Sequence, residues 1–304
     1  MAIIGYGKIA RDQHIPSIDA DPRFELAAVV GPRVATDGDP RGFRSLKDLL
    51  EAMPEQVDAV AICTPPLVRH AIAREALAAG LHVLLEKPPA ATLGEIEDME
   101  RLARTANRTL FTGWHSQHNP AVAAARAALS GAEVRTLRIE WFEDVRKWHP
   151  GQEWIWGPGG FGVFDPGINA LSIATRILPL PLFVREATLM FPSNRQTPIA
   201  ADIAFAGEPG AFSASMDWRY TQGERWIIRV ETGDGRLIEL RDGGSKLFVD
   251  GEPQQAGGPG EYPSIYDRFA QLVQAGDSEV DREPLRVAAD AFLVGRRELV
   301  EPFE

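Results

Sequence analysis

Three apolar residues, Ala2 to Ile4, run directly into Gly5-Tyr6-Gly7-Lys8-Ile9-Ala10. No other feature restricts the fold of this chain so tightly. A Gly-x-Gly-x-x-Ala turn works between a strand and a helix. Its glycines let the backbone reverse sharply, and the first turn of the helix then offers unpaired amides to a pyrophosphate. Alone the pattern is weak evidence, but a helical pattern follows over residues 9–21 and a strand–helix rhythm continues behind it. Apolar runs at 24–30, 59–63 and 82–86 alternate with helical spacing at 46–52, 68–79 and 93–106, and the second of these helices stops at Gly80. That order implies a parallel sheet joined by right-handed crossovers.

Beyond about residue 132 the texture changes. Strand-like runs follow one another at 134–141, 184–191, 199–205, 212–220, 226–231, 236–241 and 247–249, with turn pairs such as Asp234-Gly235 and Asp250-Gly251 between them. They predict an open, mostly antiparallel sheet with a helix over 168–177 packed near it, and two closing helices over 264–274 and 284–299. The expected class is α/β: a Rossmann-type domain of parallel strands over 1–115, then an α+β domain over 116–304 whose C-terminal helix is able to return to the first.

The chain has 304 residues, room for two such domains, and its 32 basic and 43 acidic side chains leave a net charge of −11. A surface of that sign repels nucleic acid and anionic membrane, so neither is an expected partner. No apolar run approaches the roughly 18 residues of a membrane-spanning helix, and no charged-then-apolar leader opens the sequence. The single cysteine, Cys63, excludes an internal disulfide framework and fits a cytoplasmic, reducing location. The histidines are scattered rather than set at ligand spacing, so no metal site is expected.

From Trp141 to Trp156 the chain reads Trp-Phe-Glu-Asp-Val-Arg-Lys-Trp-His-Pro-Gly-Gln-Glu-Trp-Ile-Trp, and from Phe164 it reads Phe-Asp-Pro-Gly-Ile-Asn. Indoles, carboxylates, an amide and a histidine in such density suit a sugar pocket better than a core. Sugar C–H faces stack on indole rings, and sugar hydroxyls pair with carboxylates and amides. In the first domain, the end of the second strand should read the adenosine ribose, where an acid would bond the 2′-hydroxyl of NAD. Here the residues are Val30-Gly31-Pro32-Arg33. Arg33 is either a partner for a 2′-phosphate, which tilts the expectation from NAD toward NADP, or a solvated loop charge.

With Asp12-Gln13-His14 behind the glycine turn, then Cys63-Thr64-Pro65-Pro66, Glu86-Lys87-Pro88 and Asp165-Pro-Gly-Ile-Asn169, the sequence resembles the glucose–fructose oxidoreductase/inositol dehydrogenase/MocA family over essentially its whole length. The stretches 143–156 and 162–172 look most like the aldose 1-dehydrogenases of that family that act on D-galactose and L-arabinose. The resemblance implies an oxidoreductase that passes a hydride from C1 of an aldopyranose to NAD(P)+ and releases the aldonolactone. An enzyme for another sugar or polyol is the nearest alternative. A non-catalytic nucleotide-binding regulator is the alternative of a different class, disfavoured because Lys87, Asp165 and Asn169 are all present.

Oxidation at C1 needs a base for the anomeric proton, a hydride acceptor above the carbon and a positive group for the oxygen. Lys87, just past a sheet strand, is the candidate positive group, and the resemblance implies a cis Lys87–Pro88 peptide. Asp165 is the candidate base, with helix capping as its competing role. The family usually carries histidine four residues later; Asn169 stands there, cannot act as a base, and is assigned to the C1 or C2 hydroxyl. Glu143 and His149 are expected on hydroxyls further round the ring, with Trp148, Trp154 and Trp156 each either part of a stacking wall or core. Cofactor contacts are expected from Gly5, Gly7, Lys8, Ile9, Arg33, Cys63, Thr64, Pro65, Pro66, His70, Glu86 and Lys87, where Glu86 either orients the cofactor ribose or holds the turn. His14, His82 and His115 are expected to be structural. The open sheet suggests a homodimer.

Overall fold

Strands made almost wholly of Val, Ile, Ala and Leu are buried on both faces, which is the condition for an all-parallel sheet. The computed structural model, which describes residues 1–38 and 40–304, has such a sheet in its first part. Among the described residues its strands are β1 (Ala2–Ile4), β2 (Ala28–Val30), β3 (Arg41–Phe43), β4 (Ala59–Ile62), β5 (His82–Glu86) and β6 (Leu110–Gly113), in the spatial order β3-β2-β1-β4-β5-β6. The order reverses between β1 and β4, where Ile4 lies opposite Ile62. Open α/β sheets take their ligands beyond the strand ends at this switch point. The crossovers contain α1 (Ile15–Ala20), α2 (Leu46–Ala52), α3 (Pro66–Ala78) and α4 (Leu93–Ala106). A five-residue π turn, Ala10–His14, precedes α1 and buries Ala10 and His14. The ends of α4 are written in the sequence: Thr92 and Glu95 form a capping box, and Asn107 closes the helix in the left-handed conformation.

The second part contains α5 (Pro120–Leu129), β7 (Val134–Phe142), α6 (Val145–Trp148), α7 (Phe164–Ile177), β8 (Val184–Pro192), β9 (Ala200–Phe205), β10 (Phe212–Asp217), β11 (Arg225–Thr232), β12 (Leu237–Arg241), β13 (Lys246–Val249) and β14 (Glu252–Gln254). Its strands alternate as one-sided sheets do: Phe212, Ala214 and Met216 are buried, while Ser213, Ser215 and Asp217 are half-exposed. α7 is buried along nearly its whole length, which makes it a core helix. Gly167 permits this, because a Cβ there would lie 2.3 Å from the Met216 sulfur of β10.

The last elements are α8 (Glu261–Ala275), α9 (Glu283–Val294) and β15 (Arg296–Val300). The chain divides into two units, Met1–Trp114 with Tyr262–Arg282, and His115–Glu261 with Glu283–Glu304. α8 therefore serves the first unit, where Tyr262, Ile265, Tyr266, Phe269 and Leu272 join the core of the parallel sheet. Each such buried side chain contributes about 1.5–3 kcal/mol. β15 completes the second sheet, whose order is β14-β13-β12-β11-β7-β10-β9-β8-β15. Two of its pairings, β7 with β10 and β8 with β15, are parallel and the others antiparallel.

The parallel sheet and the open, mostly antiparallel sheet are those the sequence predicts, and three local expectations are corrected. The second strand spans only Ala28–Val30 rather than 24–30, because β1 pairs from Ala2 and its register places Ala2 opposite Ala28. The closing helix does not run to 299: it ends at Val294, and Arg296–Val300 pairs with β8. The helix expected at 168–177 begins a full turn earlier, at Phe164. Among the described residues no helix is long and apolar enough to cross a membrane, and no group of His, Cys, Asp and Glu could hold a metal ion.

Candidate active site

In the first unit the turn after β1 meets the loop after β4. Gly5 has a φ of +95°, and a Cβ there would sit 2.8 Å from the backbone of Cys63 and Thr64. Only glycine allows both the conformation and the approach. Above Gly7, by contrast, a Cβ would meet nothing within 4 Å. Lys8 and Ile9 start the helix, and Lys8 pairs with Asp12 on the exposed side. Thr64 carries a buried hydroxyl with no hydrogen-bond partner among the described residues. Cys63 is half-buried, Pro65 is exposed and Pro66 opens α3. Arg33 lies exposed in the loop after β2. Open space over Gly7 and an unsatisfied hydroxyl at the switch point fit a dinucleotide. His70 bonds Asp98 of α4 at 2.9 Å through Nε2.

Lys87 follows β5, is half-buried, and forms a cis peptide with Pro88. The turn that carries it is held from two sides. Glu86, 5% exposed, accepts the Lys87 backbone N–H at 2.8 Å and the Tyr262 hydroxyl at 2.6 Å, and pairs with His14 Nε2 at 2.9 Å. The other nitrogen of His14 lies 2.7 Å from the Tyr266 hydroxyl. Of the two roles open to Glu86, holding the turn is the one these bonds display. On the other side the buried guanidinium of Arg69 donates to the carbonyls of Glu86, Pro88 and Thr64, tying the β4 and β5 loops together. Arg69 escapes a reading of motifs. Its one signal is a charge on the face of α3 that also buries Pro66, Ala73 and Ala76.

His14 offers a pH test of this support. Burial opposes its charged form, but Cys63, Tyr266 and the Glu86 carboxylate around it outweigh burial and hold its pKa well above the usual value. A group whose pKa rises on folding stabilises the protein fully below its unfolded value of about 6.5, and this contribution is lost as pH rises through the folded value. Thermal melts of wild type and His14→Gln should therefore differ most near pH 6, and the gap should narrow as the pH is raised.

In the second unit Asp165 lies in the first turn of α7, 4% exposed. The N-cap position is Val163, which makes no side-chain cap bond, and Asp165 stands two residues inside the first turn. Its Oδ2 is 3.5 Å from His149 Nε2. The His149 ring packs on Trp218 at 5.2 Å, and its Nδ1 lies 3.5 Å from Gln152 Oε1. Trp218 donates its indole N–H to Glu143 Oε1 at 3.2 Å, and Trp226 donates to Oε2 at 2.8 Å. Glu143, 3% exposed, is thus a buried carboxylate gripped by two indoles. Asn169 is half-buried, one helical turn after Asp165.

The tryptophans divide. Trp148 is 42% exposed, tilts against Trp226 and donates to Glu224. Trp154 is half-buried and donates to Gln152 at 3.3 Å. Trp156 is buried with its edge toward Trp218. Asp144 accepts from the Arg146 backbone N–H at 2.9 Å, and Lys147 pairs with Glu224. The structure brings Glu143, His149 and Asp165 together through Trp218, a residue that sequence spacing did not single out.

A family model described as an oxidoreductase family with an NAD-binding Rossmann fold, GFO/IDH/MocA, matches residues 1–114. The chain is 47% identical over 312 aligned residues to a galactose 1-dehydrogenase of Pseudomonas fluorescens, covering 100% of this chain and 98% of that protein. The crystal structure of D-galactose-1-dehydrogenase from Rhizobium etli matches with a TM-score of 0.92 at 48% identity, covering 100% of this chain and 97% of the other. A 3-ketoreductase from Actinomadura kijaniata, in complex with TDP-benzene and NADP, matches with a TM-score of 0.83 over 98% of both chains, and at 18% identity it speaks for the fold alone.

Proposed function

The chain belongs to the GFO/IDH/MocA oxidoreductase family, and from that premise we propose that it oxidises aldopyranoses of D-galactose and L-arabinose type at C1, with NAD(P)+ as acceptor and the aldonolactone as product. It is an NAD(P)-dependent sugar dehydrogenase. The observation that carries the finer reading is the cluster of Asp165, His149 and Glu143 around Trp218, with acceptors for hydroxyls and an aromatic wall for a sugar face. D-Galactose and L-arabinose share configuration from C1 to C4, so a pocket that reads those hydroxyls takes either.

When bound, the oxidised nicotinamide supplies the hydride acceptor. Gly5, Gly7, Lys8 and Ile9 would hold its pyrophosphate, and Cys63, Thr64, Pro65 and Pro66 its nicotinamide side, while exposed Arg33 favours NADP by meeting a 2′-phosphate. Lys87 places positive charge on the C1 oxygen as negative charge develops there. Asp165 takes the anomeric proton. Asn169 holds the C1 or C2 hydroxyl, Glu143 and His149 hold hydroxyls further round the ring, and Trp148 and Trp154 border the sugar. Two edge strands, β14 and β15, bound the open sheet, and we read that sheet as the dimer face.

The test is a panel of D-galactose, L-arabinose, D-glucose and myo-inositol against NAD+ and NADP+, followed at the reduced-nicotinamide absorbance band. Turnover with the first two sugars, and a lactone seen by NMR, is the expected result. Turnover with other sugars alone would move the assignment to the alternative substrate class, and no turnover with any would favour the regulator.

A further inference from the structure

The segment after β15 is folded back onto the second unit. The Phe303 backbone N–H donates to Asn194 Oδ1 at 3.0 Å, and Asn194 Nδ2 donates to the Phe303 carbonyl at 3.1 Å. Arg195 Nε reaches the same carbonyl at 3.2 Å. Arg146 lies over the Phe303 ring at 4.2 Å and donates to the Glu304 carbonyl at 2.8 Å. The ring tilts against Trp156 at 5.8 Å. Arg195 in turn lies over Trp156 at 5.3 Å and pairs with Glu153 at 2.9 Å.

Those contacts grip both ends of residues 146–156, the stretch with Trp148, His149, Gln152 and Trp154. Its own regular structure is one four-residue helix, α6, and one 3-10 turn, Glu153–Trp156. Neither is long enough to be stable unsupported. Beyond Trp156 the chain of contacts continues to Trp218 at 5.3 Å, and Trp218 touches both His149 and Glu143. A shift at Phe303 therefore reaches the sugar-facing groups through two rings.

We propose that Phe303, fixed by Asn194, Arg195 and Arg146, is a strap that sets the position of residues 146–156 and so tunes sugar affinity. It is a positioning residue, and the inference rests on the sugar-dehydrogenase reading. Phe303→Ala removes an aromatic pair and a cation–π contact, and should raise the sugar KM roughly tenfold. The kcat and the KM for NAD(P)+ should change far less than the sugar KM, because Asp165 and the nucleotide turn lie outside the Phe303 contacts. Phe303→Tyr keeps the ring and should restore the sugar KM. Asn194→Ala removes only the hydrogen bonds to the segment and should shift the sugar KM in the same direction. A readout that needs no turnover is tryptic cleavage after Lys147, which is exposed. Cleavage should quicken in Phe303→Ala and return to the wild-type rate in Phe303→Tyr. Unchanged sugar KM and unchanged cleavage in Phe303→Ala would overturn the proposal, even with a lowered Tm, because the ring would then be packing alone. If wild type oxidises no sugar, the functional reading fails, while cleavage still decides whether Phe303 positions the segment.

Discussion

Lys87→Ala should remain folded and turn over about a hundred- to a thousandfold more slowly, the loss seen when one group that steadies a developing oxyanion is removed. The turn that carries Lys87 is held by Glu86 through the Lys87 backbone amide and by Arg69 through the carbonyls on either side. Those bonds run through the backbone of the turn, so they persist when the side chain is truncated. The KM for the nucleotide should change little and kcat should take the loss, the pattern for an interaction made in the transition state. Lys87→Arg should not rescue, because a planar guanidinium is bulkier than an ammonium and spreads its charge. Arg69→Ala gives the contrast. It leaves the lysine in place but strips buried carbonyls of their donor, so its Tm should fall where that of Lys87→Ala does not. Steady-state kinetics and thermal melts on the three variants separate chemistry from support, and near wild-type kcat in Lys87→Ala would remove the lysine from the mechanism.

What was legible in the sequence and what was not follows from the range of the forces involved. Leu46–Ala52 and Leu93–Ala106 were readable to the residue because their caps are local: Ser45 accepts from the Asp48 amide, and Thr92 pairs with Glu95. Parallel strands buried on both faces read as plain apolar runs, so β4 and β5 were visible too. Arg41–Phe43 was not, since three residues with an exposed arginine at the head become a strand only by pairing with β2. Arg296–Val300 is rich in helix formers, and the pairing with β8 overrides that propensity. The candidate site divides the same way. A lysine after a strand and an aspartate opening a helix are local signals. The indoles that grip Glu143 lie 75 and 83 residues away from it, and no spacing rule connects them. Trp218 and Trp226 read as ordinary strand residues until the sheet brings β7, β10 and β11 side by side.

Asp165→Asn is the second large effect, with kcat expected to fall by about 10²–10⁴-fold, the range for a general base. The exchange keeps side-chain volume, and the N-cap position of α7 belongs to Val163. The fold should therefore persist, and wild-type and variant melts should nearly coincide. A rival base stands close by: His149 Nε2 is 3.5 Å from Asp165 Oδ2, near enough for either group to take the proton and the other to orient it. The two assignments differ in what His149→Gln does. With Asp165 as base, Asp165→Asn loses kcat, while His149→Gln chiefly raises the sugar KM, because it removes a hydroxyl partner and the ring that packs on Trp218. With His149 as base, His149→Gln also loses kcat, by at least as much as Asp165→Asn, because the imidazole would then be the acceptor and the carboxylate its orienting partner. Asn169→Ala calibrates both, since an amide that only holds a hydroxyl should alter sugar KM more than kcat. A single set of kcat and KM values for the three variants against one sugar thus assigns the proton acceptor.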